Sequence, residues 1–299
     1  MRRHQPVHLL APEGYATRAD LLAAGHTEHT VRAAAANGDI HRILPGLYAG
    51  SPRDQLDSDV LLRATLDYAG EDTYLTCISS LIAQNLVAPP VGDVHVGMSE
   101  QLRTHRVPGL VPHQFGKMPA DALTEAGGLS VVRRDLAVVQ SFGCLPLDAG
   151  RALVLTLTQE RRIRPADVVE IVGPHTKRRR ALLDVLELAA GGTHSPGEAR
   201  MLIEALRQHG LPDPERQYRI ELPSGVVYLD GAYPRPKVGL EYDGRAWHFD
   251  ADRRNADLIR DAELAALGWL IIRCTDVQLR KAARWAALVL ATVTARGGF

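Results

Sequence analysis

Between Val226 and Cys274 three carboxylates lie on or beside short apolar runs. Asp230 closes Val226-Val-Tyr-Leu-Asp230, and Glu241 and Asp243 stand two apart in Gly-Leu-Glu241-Tyr-Asp243-Gly. Apolar runs of this kind are built for burial, and a buried carboxylate is costly unless something pairs with it. A divalent cation held by oxygen ligands is one such partner. Glu198, in Ser195-Pro-Gly-Glu198, offers a further acid at a helix start. It has two readings: a capping box returning to the Ser195 amide, or an acid that helps hold a metal through a water. His248, in Gly-Arg245-Ala-Trp-His248, has the near-neutral pKa that acid or base work needs. A histidine beside Trp247 also fits plain half-buried packing.

The elements that must position these groups can be read from periodicity. Gln217–Leu222, Gly225–Asp230 and Val238–Tyr242 are strand-length, with a turn at Pro223-Ser224-Gly225. A helix from Asp250 to Leu267 stops at Gly268; Trp269–Arg273 is a fourth strand, and Asp276 can cap a last helix, Val277–Val293. The expected order is helix, three-strand meander, helix, strand, helix: an α/β core with a mixed sheet. Alternation along a strand turns Glu241 and Asp243 to one face and Tyr242 to the other. On the long helix, Arg253, Arg254, Asp257, Arg260 and Asp261 have spacings of three or four that permit ion pairs on a solvated face. Arg254 and Arg260 also read as DNA-backbone contacts or supports for the carboxylates, and Arg273 as a structural partner of a site carboxylate.

This order, with Asp230, Glu241-x-Asp243-Gly-x-x-x-His248, Arg254 through Arg260-Asp261, and Gly268-Trp-x-Ile-Ile-Arg273, resembles the PD-(D/E)XK nuclease superfamily. Within it, the last third of the chain is similar to very-short-patch-repair-type endonuclease domains. The resemblance implies a restriction-endonuclease-like mixed sheet flanked by helices. It implies a Mg²⁺ (or Mn²⁺) cofactor with Asp230 as central ligand and Glu241 as second ligand, beside which the metal-holding reading of Glu198 adds a further acid. It makes Asp230, Glu241, Asp243 and His248 the candidate catalytic set, with Arg245, Arg254 and Arg260 on DNA. The superfamily's lysine, two residues after the glutamate, is here Asp243, which cannot donate positive charge; very-short-patch-type relatives also lack that lysine.

Residues 1–50 read as a winged-helix unit. Thr17 can cap a helix over Arg18–Ala24, and Thr27 a second over Glu28–Ala36. Ile40–Ile43 and Gly46–Ala49 make a small hairpin, the wing. Here His29, Arg32, His41 and Arg42 would face DNA. The alternative is a protein-docking unit of the same shape, because the second helix is mostly alanine with an acidic Glu28 and one arginine, and phosphate contacts carry most non-specific affinity.

Residues 51–190 read as an α/β domain. Helices are expected over Asp57–Tyr68, Thr73–Asn85, Val131–Val139 and Asp148–Thr158, with strands at Val94–Met98 and Gly109–His113. The succession of Ser79-Ser80-Leu81 helix, Val94-His-Val strand, His113 strand and Val-x-Arg133-Arg134-Asp135-Leu-Ala helix resembles AbiEi-type antitoxin domains of type IV toxin–antitoxin systems. That implies an α/β domain joined to a DNA-binding winged helix that sometimes autoregulates transcription. Lys177-Arg-Arg-Arg180 is a solvated helix end or a phosphate patch. Gly191-Gly192-Thr193 is the best linker. The expected domains are therefore 1–50, 51–190 and 191–299.

A chain of 299 residues exceeds one comfortable core. With 35 basic and 35 acidic residues it has no net charge, so DNA binding must come from local patches. Cys77, Cys144 and Cys274 are odd in number and far apart, which suits a reducing compartment and argues against a disulfide framework or a zinc ribbon. Apolar stretches such as Ala286–Val293 fall short of the ~20 residues of a spanning helix, so a cytoplasmic protein without a membrane partner is expected. Two functions follow. One is a metal-dependent DNA endonuclease in a defence or toxin–antitoxin setting, working with a partner toxin or other defence protein. The other is an antitoxin-like DNA-binding regulator whose nuclease fold does not cut.

Overall fold

The computed structural model describes residues 14–89, 92–98, 107–114, 120–244 and 251–299, with backbone alone at 120 and 251–254. It is a mixed α/β protein whose described residues form three sheets. The chain divides into two compact units, Met1–Leu145 and Pro146–Phe299.

The first unit opens with β1 (Tyr15–Thr17), α1 (Arg18–Ala23), α2 (Glu28–Asn37), β2 (His41–Leu44) and β3 (Leu47–Ala49), and its strands pair antiparallel in the order β1-β3-β2. Both helices start as their sequence predicts. The Thr17 hydroxyl accepts the Asp20 N–H while the Asp20 carboxylate accepts the Thr17 N–H, and Thr27 and Thr30 repeat the exchange. Such reciprocal caps satisfy amides that a helix start otherwise leaves orphaned. Gly38 ends α2 in the left-handed conformation, φ 80°.

Next come α3 (Ser58–Ala69), β4 (Thr73–Leu75), α4 (Cys77–Ala83), β5 (Val94–Met98), β6 (Leu110–Gln114), β7 (Leu123–Ala126), β8 (Leu129–Val132) and α5 (Arg134–Cys144). The strands form a mixed five-stranded sheet ordered β6-β5-β4-β8-β7. Two expectations change. Thr73–Leu75 is not the start of a helix: it pairs with β5 on one side and β8 on the other, and Leu75 is fully buried. The Val131 run begins as strand β8, hairpinned to an unforeseen β7 through Gly127-Gly128, both at positive φ, which a two-residue hairpin turn favours. Buried Ser80 is satisfied by donating to the Val132 carbonyl at 2.6 Å.

Cross-strand from Tyr74, Gly97 leaves the space that the Tyr74 ring fills, and a β-carbon there would collide with the ring. Tyr74 is buried and cannot swing out. Gly97→Ala should therefore cost about 1–3 kcal/mol of stability through overpacking, read as a lower urea midpoint. An unchanged midpoint would show that the ring yields.

The second unit begins with α6 (Leu147–Gln159), α7 (Pro165–Glu170), α8 (Arg179–Ala190) and α9 (Pro196–Arg200). After α9 the helix widens into a π turn over Met201–Leu206 and tightens again over Arg207–His209. Then follow β9 (Glu215–Leu222), β10 (Gly225–Tyr233), β11 (Val238–Tyr242), α10 (Ala251–Ala266), β12 (Leu270–Cys274), α11 (Asp276–Leu279) and α12 (Ala282–Ala295). The sheet runs β12-β11-β10-β9, antiparallel except for the parallel pair β11–β12. Thr275, not Asp276, caps the last helical segment, which breaks between α11 and α12.

The unit boundary departs from the expected 50 and 190. Tyr15, Ile43, Leu44 and Leu47 share a core with Ala64 of α3, so residues 14–50 are not a separate body. Arg151 of α6 is buried against Glu204, which joins α6 to the segment after α9. Gly191 is no linker: the Arg216 guanidinium from β9 lies where its side chain would be, and Arg216 also pairs with Glu187 at 2.8 Å. Among the described residues no helix is long and apolar enough to cross a membrane.

Candidate functional site

The carboxylates gather where β10 and β11 stop pairing. Their register ends at Gly231–Leu240, and Asp230 and Glu241 are the next residue of each strand beyond it. On the other side of β11 the parallel register sets Glu241 beside Arg273. Asp230 takes the place of a ladder partner, its Oδ2 accepting the Tyr242 N–H at 2.7 Å.

Glu198 approaches from α9, which can lie close to β11 because residue 197 is glycine: the Tyr242 ring fills the space a side chain would need. Burial, followed by a hydrogen bond to Asp276, pushes the Tyr242 hydroxyl up to about 12. Ser195 caps α9 by accepting the Glu198 N–H at 3.2 Å. The expected return bond differs: buried Glu198 accepts from the His194 amide at 3.0 Å, one residue before Ser195. Burial pushes the Asp230 carboxyl up to about 6, and the Glu198 charge adds to the shift; the Tyr242 amide, Arg260 and His194 oppose it.

Glu241 is held by two arginines. Arg260 of α10 forms an ion pair with Oε1, and Arg273 Nε lies 3.6 Å from Oε2. Arg273 also donates to both Asp261 oxygens, at 2.7 and 2.8 Å, as a structural partner. Arg260 therefore turns inward, and of its two expected roles the support of a carboxylate is the one its contact serves. Its buried Nε has no partner among the described residues. Asp243 lies exposed just past β11, its N–H donating to the Cys274 carbonyl at 2.8 Å. Arg245 and His248, and the side chain of Arg254, lie outside the described residues.

As a test for a hard divalent cation, the donor types fit: all are carboxylate oxygens, and the mutual repulsion of Glu198 and Asp230 is what a cation relieves. Against this, the arginines engage both Glu241 oxygens. A surface recess of about 430 Å³ is lined by Asp261, Trp269, Arg273 and Arg296 and does not include these carboxylates.

In the first unit, Arg32 and Arg42 line one recess of about 220 Å³ together with Arg18, Glu28 and Tyr48. Glu28 sits among the arginines, paired with Arg18 and, at 3.4 Å, with Arg32.

The structure also assembles a group that the sequence reading missed. Cys77, His95, His113 and Cys144 each offer a ligand atom, and the four atoms lie within 4.8 Å of one another. The expectation of scattered cysteines thus fails for two of the three. Cys77 and Cys144 are 67 positions apart, yet their Sγ atoms are 3.3 Å apart, because α4 and α5 pack together in the first unit. Cys274 remains apart, buried in the second unit. No Cys-x-x-Cys spacing announces the cluster; paired histidines on neighbouring strands were its one sequence signal. A hydrogen bond with Cys77, then one with His95, lowers the Cys144 thiol to about 4.

No family model matches the chain. It is 27% identical over 247 residues to "Uncharacterized protein MT2308" and to "Uncharacterized protein Rv2248", both of Mycobacterium tuberculosis, covering 79% of this chain and 85% of each relative. Among solved structures it is similar to the crystal structure of RV2827C protein from Mycobacterium tuberculosis, at 13% identity and a TM-score of 0.41 over 65% of this chain and 78% of that one.

Proposed function

We propose that the second unit is a PD-(D/E)XK-type phosphodiester hydrolase of the very-short-patch-repair kind, acting on DNA with Mg²⁺ or Mn²⁺. The observation that carries this reading is the gathering of carboxylates where β10 and β11 part: Asp230 and Glu241 are the next residues beyond the last pair, Arg260 acts on both, and Glu198 is close enough to raise the Asp230 pKa. The helix–meander–helix–strand order around a mixed sheet supports it. Asp230 and Glu198 would hold the cation, and Glu241 would join them when Arg260 exchanges its carboxylate for a substrate phosphate. When bound, the metal lowers the pKa of a water and polarises the phosphoryl oxygen. The Tyr242 amide fixes the Asp230 carboxylate. His248 is the proposed acid–base group, and Arg245 and Arg254 the phosphate contacts. Asp243, in place of the usual lysine, supplies no positive charge; in this reading Arg260 does.

In the same reading residues 14–50 are a winged helix, with α2 presented to DNA and Arg32 and Arg42 on the phosphates. Arg32 is free enough to reach, its side chain 82% exposed.

A second reading rests on Arg260 and Arg273, which neutralise Glu241 as a dead site would. There the protein is an antitoxin-like DNA-binding regulator that does not cut, working beside a partner toxin or other defence protein. Supercoiled plasmid incubated with the protein and Mg²⁺ or Mn²⁺ separates the two. Metal-dependent nicking that disappears in both Asp230→Ala and Glu241→Ala is the expected result. No nicking, with a gel shift that survives both substitutions but is lost in Arg32→Ala/Arg42→Ala, would establish the regulator instead.

A further inference from the structure

We infer that Cys77, His95, His113 and Cys144 form a structural Zn²⁺ site that pins together the first unit. This is independent of the carboxylates, which belong to the second unit.

The four ligands come from four elements. Cys77 opens α4, His95 lies on β5, His113 on β6, and Cys144 ends α5. Two thiolates on one tetrahedral zinc, with Zn–S bonds of ~2.3 Å, stand roughly 3.8 Å apart. The 3.3 Å between Cys77 and Cys144 is near that separation and far from a bonded ~2.05 Å pair. Cys77 Sγ lies 3.8 Å from His113 Nε2, and His113 Nε2 lies 2.8 Å from His95 Nδ1. Two imidazole nitrogens facing each other need a shared proton or a common electrophile. A cation among them gives both lone pairs one target.

The donor chemistry selects the ion. Two sulfurs and two imidazoles, with no carboxylate in the group, disfavour Mg²⁺ and Ca²⁺ and suit a tetrahedral Zn²⁺. Four protein ligands fill that geometry, which is the mark of a structural rather than a catalytic zinc.

The surroundings hold these ligands in place. The Gln140 side-chain oxygen accepts from both the Thr76 hydroxyl and the Cys77 amide, tying the start of α4 to the helix that carries Cys144. The His95 amide donates to Ser79 Oγ at 2.9 Å, and the His95 carbonyl accepts the Thr76 N–H at 3.0 Å. Cys77 itself sits at φ 49°, a left-handed conformation costly for a residue with a β-carbon. Its surroundings enforce that conformation, and it aims the thiol at the other three ligands. Outer contacts of this type orient metal ligands in known sites.

The test uses the full chain without an affinity tag, purified under reducing conditions and measured by elemental analysis. About one zinc per chain is expected. Cys77→Ser and His113→Ala should each bring it near zero, while Cys274→Ser leaves it unchanged. Because loss of a structural metal can itself impair folding of the first two variants, the wild type carries a second readout. After chelation and Co²⁺ loading it should show the strong tetrahedral visible bands and the thiolate charge-transfer band of a Cys₂His₂ site, and Zn²⁺ should abolish them. A zinc-free protein without those cobalt bands overturns the proposal. So does air oxidation of the untreated protein that consumes two of its three thiols as readily as in the chelated protein.

Discussion

Glu204→Ala is expected to lower the unfolding free energy by about 3–5 kcal/mol, the cost of stranding a buried charge. Arg151 is 4% exposed. Its Nη1 donates to Glu204 at 2.7 Å and to Asp148 at 3.1 Å. Asp148 is mostly solvated, its side chain 61% exposed, and screened by water it cannot replace Glu204. Arg151 Nε already lacks a partner among the described residues, so the guanidinium has little else to fall back on. Glu204 also accepts from Arg200 at 3.3 Å, and that cation would keep its Asp276 partner at 3.0 Å. The double substitution Arg151→Met/Glu204→Leu removes the buried cation together with its part-buried partner and should recover most of the loss, because such an ion pair is often matched by apolar residues of similar volume. Urea unfolding followed by circular dichroism measures all three proteins. A Glu204→Ala midpoint equal to wild type would mean that Arg151 finds water or a new partner.

In buffer free of Mg²⁺ and Mn²⁺, the Asp230 contribution to stability should fall as pH rises from about 4 to 6. Its carboxyl is raised from 3.8 to about 6 by burial first and the Glu198 charge second. Below 3.8 the folded and unfolded chains both hold this proton, and the contribution is fully present. Between the two values the folded state binds more protons than the unfolded, so stability is lost with rising pH. Above about 6 the loss levels off. The gap between the folded and unfolded values corresponds to at most about 3 kcal/mol. Asp230→Asn removes this titration, so it should flatten the difference curve and be the more stable protein at pH 7. Urea midpoints for both proteins at half-unit pH steps give the comparison, and identical slopes would dismiss it. Saturating Mg²⁺ provides a readout that needs no cleavage. A cation on the ionised carboxylate lowers its pKa, so wild type alone should lose its slope.

Much of the local architecture was legible. The caps at Thr17 and Thr27 and the helix–meander–helix–strand order follow from residues a few positions apart. Period and capping are short-range physics, and a single sequence carries them in full.

The tertiary structure decided whatever needed two distant segments to meet. Thr73–Leu75 could open a helix until β5 and β8 flank it and bury Leu75. Arg260 could face solvent or DNA until α10 packs over the sheet and sets it on Glu241. Gly191-Gly192 reads as a linker until Arg216 covers it. Cys77 and Cys144 look unrelated until α4 and α5 pack together in the first unit and carry them to the same point as His95 and His113. Residue type and spacing determined which side chains could ligate or pair. Which of them do so depends on sheet order and helix packing, because those alone bring groups tens of positions apart within bonding range.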